Sequence, residues 1–392
     1  MFIEFFKICF CMVQLIFGGL LAFLLTFYSI PVIIKVARVK KLYDEPDDVR
    51  KLHVKPIPSL GGLGIFIGFM LCLLLTVNFS IVPEFQYYIA SFLIIFFVGI
   101  KDDILILSAI KKFIVQFIVA GILIFKGNLV LTDMQGFLGI NQIPVIISYI
   151  LTFFTIVVIT NAFNLIDGVD GLAGSLGFIS SVIFGAFFLM NGNLSYAILS
   201  FGLACSSLAF LIYNFQPAKI FMGDTGSLLL GLVNSILVIK FIEMGSHFDN
   251  YPITAAPAIG FCILLLPLMD TLRVFGIRLI QGRSPFSPDR NHIHHLLLDR
   301  GMNHRTVTLT CSALSVIFIT VGFLLQGIGT TSLIVGLLGA FFIGIYGLHL
   351  TKPKVSMNVV KSERVNKFQV KEERFRLISL LKREQVSAVD ED

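Results

Sequence analysis

Hydrophobic positions in this chain fall into long runs separated by short polar connections. Runs near the roughly 17 to 25 apolar residues that cross a bilayer as helix stand at about 11–34, 60–79, 86–100, 108–125, 143–160, 172–190, 194–213, 226–243, 253–277, 306–325 and 331–350, with 86–100 the shortest. The pattern predicts an all-α, polytopic integral membrane protein of about eleven transmembrane helices. The opening segment has Lys7 as its only early cation, stays apolar too long and lacks a clean small-residue cleavage site, so it reads as the first of them.

Orientation follows from the cations, because short loops rich in Lys and Arg stay in the cytoplasm. Lys35, Arg38, Lys40, Lys41, Arg50, Lys51 and Lys55 follow the first run, and Arg278, Arg283, Arg290, Arg300 and Arg305 lie between the ninth and tenth. Alternation then brings Asp102/Asp103, the 161–171 stretch, Asn214 to Ser227 and the tail from Lys352 to the cytoplasmic face. The N-terminus is expected outside and the C-terminus inside, which requires an odd number of spans. Two regions are expected, a multi-span domain over 1–351 and a mixed-charge cytoplasmic tail over 352–392.

Composition agrees with this class: 56% of residues are hydrophobic, 14% are charged and the mean hydropathy is +0.91, far from the mix of a soluble domain. The six cysteines lie in or beside apolar runs without paired spacing and read as small core residues. A bilayer is the expected setting and no nucleic-acid partner is expected.

Against that background the acidic and amide residues at run ends are costly, and such groups are kept for function. Asp102 and Asp103 are adjacent, so on a helix they point about 100° apart and suit different tasks. The bland alternative is a pair of topology-marking charges. Asn161, Asn164, Asp167 and Asp170 recur every three residues as a slowly winding polar stripe, with Gly168, Gly171 and Gly174 permitting close backbone approach. Amides read bases and carboxylates hold magnesium or ribose hydroxyls; polar glue between helices is the alternative. Gly223-Asp224-Thr225-Gly226-Ser227 opens a helix, where backbone N–H groups favour anions and Asp224 suits Mg2+ bridging to phosphate. An Asp/Ser cap on the same helix is compatible with that. Arg283 and Arg290 suit phosphate, and His292, His294 and His295 suit phosphate better than zinc, since no cysteine or fourth ligand is nearby.

Lys55-Pro-Ile-Pro-Ser-Leu-Gly-Gly62, Asp102-Asp103, Asn161 to Gly174, Tyr213 to Asp224 and Ser284 to His295 together resemble the polyprenyl-phosphate N-acetylhexosamine-1-phosphate transferases, over roughly 40–305. Within that family the chain resembles the N-acetylglucosamine-1-phosphate group; His292-Ile-His294-His295 departs from the Pro-x-His-His-His pattern of the phospho-MurNAc-pentapeptide branch. The resemblance implies UDP-GlcNAc and undecaprenyl phosphate as substrates at the cytoplasmic face of a bacterial inner membrane, with another UDP-HexNAc as the alternative and a homodimer compatible. It implies Mg2+, or Mn2+ in its place, on Asp224 with Asp167, and Asp102/Asp103 facing the lipid phosphate. Asn214, Phe221 and Asp170 are implied around the uracil or ribose, Arg283 and the histidines near the diphosphate and sugar, and Lys55 at the nucleotide pocket. A transporter of anionic amphiphiles is the non-enzymatic rival, and it would carry polar groups near the bilayer midplane.

Overall fold

Inside a bilayer an apolar run satisfies its own backbone as an α-helix. The computed structural model describes residues 2–42, 57–105, 107–245, 252–284 and 291–351, and each apolar run contains helix. In order the helices are α1 (Phe2–Lys40), α2 (Gly61–Thr76), α3 (Phe85–Leu105), α4 (Ala109–Phe125), α5 (Val145–Ile166), α6 (Leu172–Met190), α7 (Leu194–Asn214), α8 (Gly223–Gly245), α9 (Ala256–Ile263), α10 (Leu265–Ile280), α11 (Ile293–Leu298), α12 (His304–Leu325) and α13 (Thr330–Leu350). By length and composition seven of them (α1, α5, α6, α7, α8, α12 and α13) can cross a membrane, or eight if the bent pair α9 and α10 is one span. The protein is thus a mostly helical, polytopic membrane protein. The 352–392 tail lies outside the described residues.

α8 organises the rest. It is apolar on every side, a pattern stable only when surrounded, and α2, α3, α5, α6 and α9 pack around it. Deep within it, Asn234 accepts from the Ser180 hydroxyl at 2.7 Å. A Cβ at Gly62 would lie 2.1 Å from the Gly226 nitrogen, so α2 and α8 meet backbone to backbone, the approach small residues permit in membranes.

Two features depart from the sequence reading. The 253–277 run is not one straight span: α9 and α10 meet at Leu264 with an 81° bend. Pro267 sits in the first turn of α10, where its missing N–H is harmless, but its ring forbids continuous helix back through the carbonyl of Ile263. The bend lets α10 bury Asp270, Arg273 and Arg278 while Leu279 and Ile280 stay exposed.

Against the all-α expectation, the connection between α4 and α5 contains an antiparallel hairpin, β1 (Asp133–Phe137) and β2 (Ile140–Gln142), so the fold is not purely helical. Positive φ at Gly136 and Gly139 turns it. Gln135 ties it down, donating to the Ile242 carbonyl at 3.1 Å and accepting from the Ala256 N–H at 2.9 Å.

Candidate active site

The first turn of α8 is held from three directions. Residues before and at the start of α2 line its approach: Phe221 N–H donates to the Pro58 carbonyl (2.8 Å), and Gly61 and Gly62 N–H donate to Phe221 and Met222 carbonyls (2.9 and 2.8 Å). Gly223 adopts φ +72°, and a Cβ there would lie 2.1 Å from the Ser59 carbonyl oxygen, so only glycine fits. From α3, Asp103 caps the helix, accepting the Asp224 N–H at 2.6 Å, the Thr225 N–H at 3.1 Å and the Thr225 hydroxyl at 2.5 Å. It supplies from another helix the acceptor that an N-terminus needs.

With its backbone fixed, Asp224 turns its side chain toward α4 and α5. Asn164 Nδ2 donates to Oδ1 at 3.0 Å and to Ser227 Oγ at 2.9 Å, and Lys112 Nζ donates to Oδ2 at 2.7 Å. Lys112 also pairs with Asp102 Oδ2 at 2.7 Å. One ammonium therefore bridges carboxylates of α3 and α8, and Asp102 further accepts the Leu107 N–H. The neighbouring aspartates have different partners, as their angular offset on a helix requires.

Asp167 ends α5 with a non-helical backbone. Burial first, then the negative charges of Asp224, Asp103 and Asp170, hold its carboxyl well above the usual carboxylate range. Among the described residues no three His, Cys, Asp or Glu side chains form a metal cluster. Two carboxylates, Asp224 and Asp167, are nonetheless what Mg2+ usually takes from a protein, with water and substrate phosphate completing the shell. The crowding of like charge at Asp167 fits a cation.

The histidine segment packs on the same turn. A Cβ at Gly168 would lie 2.5 Å from His294 Nε2, which places that imidazole against the residue after Asp167. His294 is buried, and burial followed by the charge of His295 pushes it down to about 3, so it is a neutral ring. His292 lies parallel to it with centroids 5.5 Å apart, and the His295 ring centroid is 4.3 Å away, tilted by 50°.

The structure therefore gathers Asp102, Asp103, Asn164, Asp167 and Asp224, with the histidines on one flank. Asp170 and Asn214 are drawn into backbone support. Asp170 accepts the Ala218 N–H at 3.3 Å and pairs with His304 at 3.1 Å, while Asn214 accepts the Gly171 N–H at 2.8 Å and donates to the Ile220 carbonyl at 2.9 Å. Asn161 is turned aside, its amide donating to Gln116 Oε1 at 2.6 Å in α4. Phe221 is half-buried just before α8, its backbone bonded to Pro58 and Gly61. Arg283 is exposed where α10 ends, its N–H on the Arg278 carbonyl. Lys55 and Arg290 lie outside the described residues. Sequence reasoning missed Lys112 and the buried Asp270/Arg273 pair; their signals were a lysine opening the 108–125 run and two opposite charges three residues apart inside 253–277.

A family model described as Glycosyl transferase family 4 matches residues 85–242, which contain Asp102, Asp103, the 161–174 stretch and Asp224. The chain is 35% identical over 308 residues to the probable undecaprenyl-phosphate N-acetylglucosaminyl 1-phosphate transferase of Bacillus subtilis, covering 78% of this chain and 84% of that protein. It is 31% identical to the undecaprenyl-phosphate alpha-N-acetylglucosaminyl 1-phosphate transferase of Escherichia coli O157:H7 (74% of this chain, 78% of that protein) and 32% identical to that of Yersinia pestis (72% and 78%). On that likeness, carried across most of its length, the chain belongs to glycosyl transferase family 4 and is a membrane glycosyl-1-phosphate transferase.

Proposed function

We propose that the protein transfers GlcNAc-1-phosphate from UDP-GlcNAc to undecaprenyl phosphate. An oxygen of the lipid phosphate attacks the sugar-bearing phosphorus, the phosphoanhydride to UMP breaks, and UMP leaves with the electron pair. One phosphoanhydride replaces another, so catalysis comes from positioning and charge stabilisation rather than driving force. The supporting observation is the Lys112 bridge between Asp102 and Asp224, beside Asp167. It brings an ammonium between two carboxylates, with a third beside them, to a point where phosphates can meet.

The attacking phosphate monoester has a second pKa of about 6 and is mostly dianionic near neutrality, so no strong base is needed. Asp102 and Lys112 orient that phosphate, Lys112 by direct attraction and Asp102 by aiming the lysine. Asp103 acts by holding the α8 turn on which Asp224 stands. Mg2+ on Asp224 and Asp167 would neutralise charge on the diphosphate. Asn164 sets the Asp224 rotamer, Phe221 flanks the nucleotide, and His292, His294, His295 and the arginines Arg283 and Arg290 meet the diphosphate and sugar, with Lys55 at the nucleotide. In this reading the shorter or more polar helices α2, α3 and α4 also cross, so that with the seven long apolar helices and the bent α9–α10 pair the chain spans the inner membrane eleven times, N-terminus outside, and the site faces the cytoplasm. The prenyl chain stays in lipid while the nucleotide arrives from water.

Purified protein incubated with UDP-GlcNAc, undecaprenyl phosphate and Mg2+ should release UMP, and EDTA should stop it. No UMP release with UDP-GlcNAc under conditions where another UDP-HexNAc supports it, or undiminished release in EDTA, would overturn the substrate or the metal assignment respectively.

A further inference from the structure

Asp270 is 0% exposed in α10, and its carboxylate is met by donors on both oxygens. Oδ1 accepts the Ile293 N–H at 2.8 Å and Arg273 Nη2 at 3.1 Å, and Oδ2 lies 2.9 Å from His292 Nδ1. A carboxylate already held by a guanidinium and a backbone N–H is an acceptor for its remaining neighbour, so Nδ1 of His292 carries the ring proton and Nε2 is left for a ligand. Arg273 also donates to the Asn291 carbonyl. The two side chains thus grip three consecutive residues, 291–293, where the chain enters the histidine segment. His292 in turn lies parallel to His294, which abuts Gly168 beside Asp167.

A helix in a bilayer satisfies its own backbone and does not need these contacts to form. A buried ion pair adds little to stability over apolar residues of the same size, yet α10 buries one just beyond its 81° bend from α9. That expense is explained if the orientation of the imidazole matters.

We propose that Asp270 is a positioning residue for the transfer reaction: it fixes the tautomer and aim of His292, with Arg273 clamping Asn291, so that Nε2 of His292 is presented to the sugar nucleotide. This rests on the reading above that the histidines meet the diphosphate and sugar. Asp270 touches no substrate itself. Its removal lowers the rate through His292 and leaves nucleotide affinity nearly unchanged.

Two measurements test this on full-length protein in bilayers. The first is the 15N spectrum of histidine-labelled protein, with His292 assigned by its loss in His292→Ala. The expected result is an Nδ1-protonated His292 that loses this form in Asp270→Asn, whose amide can donate to the ring, and keeps it in Asp270→Glu. The second is a double-mutant cycle on turnover. Asp270→Asn should lower kcat about 10- to 100-fold, the range for partners that orient a functional group, with little change in KM for the nucleotide. In the His292→Ala background the same substitution should have almost no further effect. A purely structural Asp270 would give additive losses and an unchanged His292 tautomer, and either result overturns the inference. Full turnover in His292→Ala overturns the histidine reading and this inference with it; an impaired His292→Ala beside a fully active Asp270→Asn overturns this inference alone. If Asp270→Asn does not fold, Asp270→Glu carries the test, with reduced kcat, retained KM and retained tautomer expected.

Discussion

The carboxylate of Asp103, on the last turn of α3, accepts the backbone N–H of Asp224 at 2.6 Å. A side chain of one helix is thereby the N-cap of another, and the position of Asp224 depends on it. Asp103→Ala should remove the acceptor for two N–H groups and a hydroxyl, costing about 1–2 kcal/mol by analogy with lost helix caps and abolishing most turnover. Asp103→Asn retains one acceptor oxygen and should recover part of the stability. Thermal unfolding in detergent beside UMP release measures both. An Asp103→Ala protein that is inactive but as stable as the parent would return Asp103 to direct contact with the lipid phosphate.

Lys112 occupies Asp224 Oδ2 at 2.7 Å, on the carboxylate proposed to hold Mg2+. The ammonium and the metal then compete for that oxygen. Lys112→Met should lower turnover by on the order of 10²-fold, the scale of losing one charge-stabilising donor. It should also lower the Mg2+ concentration needed for thermal stabilisation, because Asp102 and Asp224 are left facing each other uncompensated. A Mg2+ midpoint that rises in Lys112→Met would show that the lysine assists the metal rather than competing with it.

Apolar run length made most helices legible in the sequence, because helix is the backbone's main option in lipid. The break at Leu264 was not legible from run length, since apolarity continues across it; Pro267 was the available cue. The acidic members of the site were legible because charge at run ends is costly. What spacing could not reveal was division of labour between residues that meet only in space. Asp103 and Asp102 are neighbours in sequence, yet one caps α8 and the other pairs with Lys112. Asn161 and Asn164 sit on one stripe, yet one joins Gln116 and the other Asp224. Asp270 was hidden inside a run read as a plain span.

Asn214 is the clearest case for reassignment. The resemblance implies a nucleotide contact, but its carbonyl oxygen takes the Gly171 N–H and its amide donates to the Ile220 carbonyl. Asn214→Ala leaves both backbone groups buried and unpaired, which should cost roughly 1–3 kcal/mol. Stability should drop along with turnover, and UDP-GlcNAc KM should change only modestly in the folded fraction. A variant of unchanged thermal stability with a many-fold higher KM would restore the direct nucleotide contact.

His294 provides a pH prediction whose sign can be worked out. Its ring is held down to about 3, by burial first and then by the charge of His295, and its Nδ1 has no partner among the described residues. In the unfolded chain the same ring titrates near 6.5. Between those values the unfolded chain binds a proton that the folded chain refuses, so stability is lost as pH falls below about 6.5. At pH 5 the loss is on the order of 2 kcal/mol. Asp167 works in the opposite direction. Its carboxyl is raised, so the folded chain holds that proton more tightly and acidification relieves a penalty there. The total pH dependence mixes the two, and the difference between parent and His294→Gln isolates the histidine. Thermal unfolding at pH 7.5 and pH 5 should show the parent losing more stability than His294→Gln. Equal losses in both proteins would mean that His294 takes up its proton without disturbing its contact with Gly168.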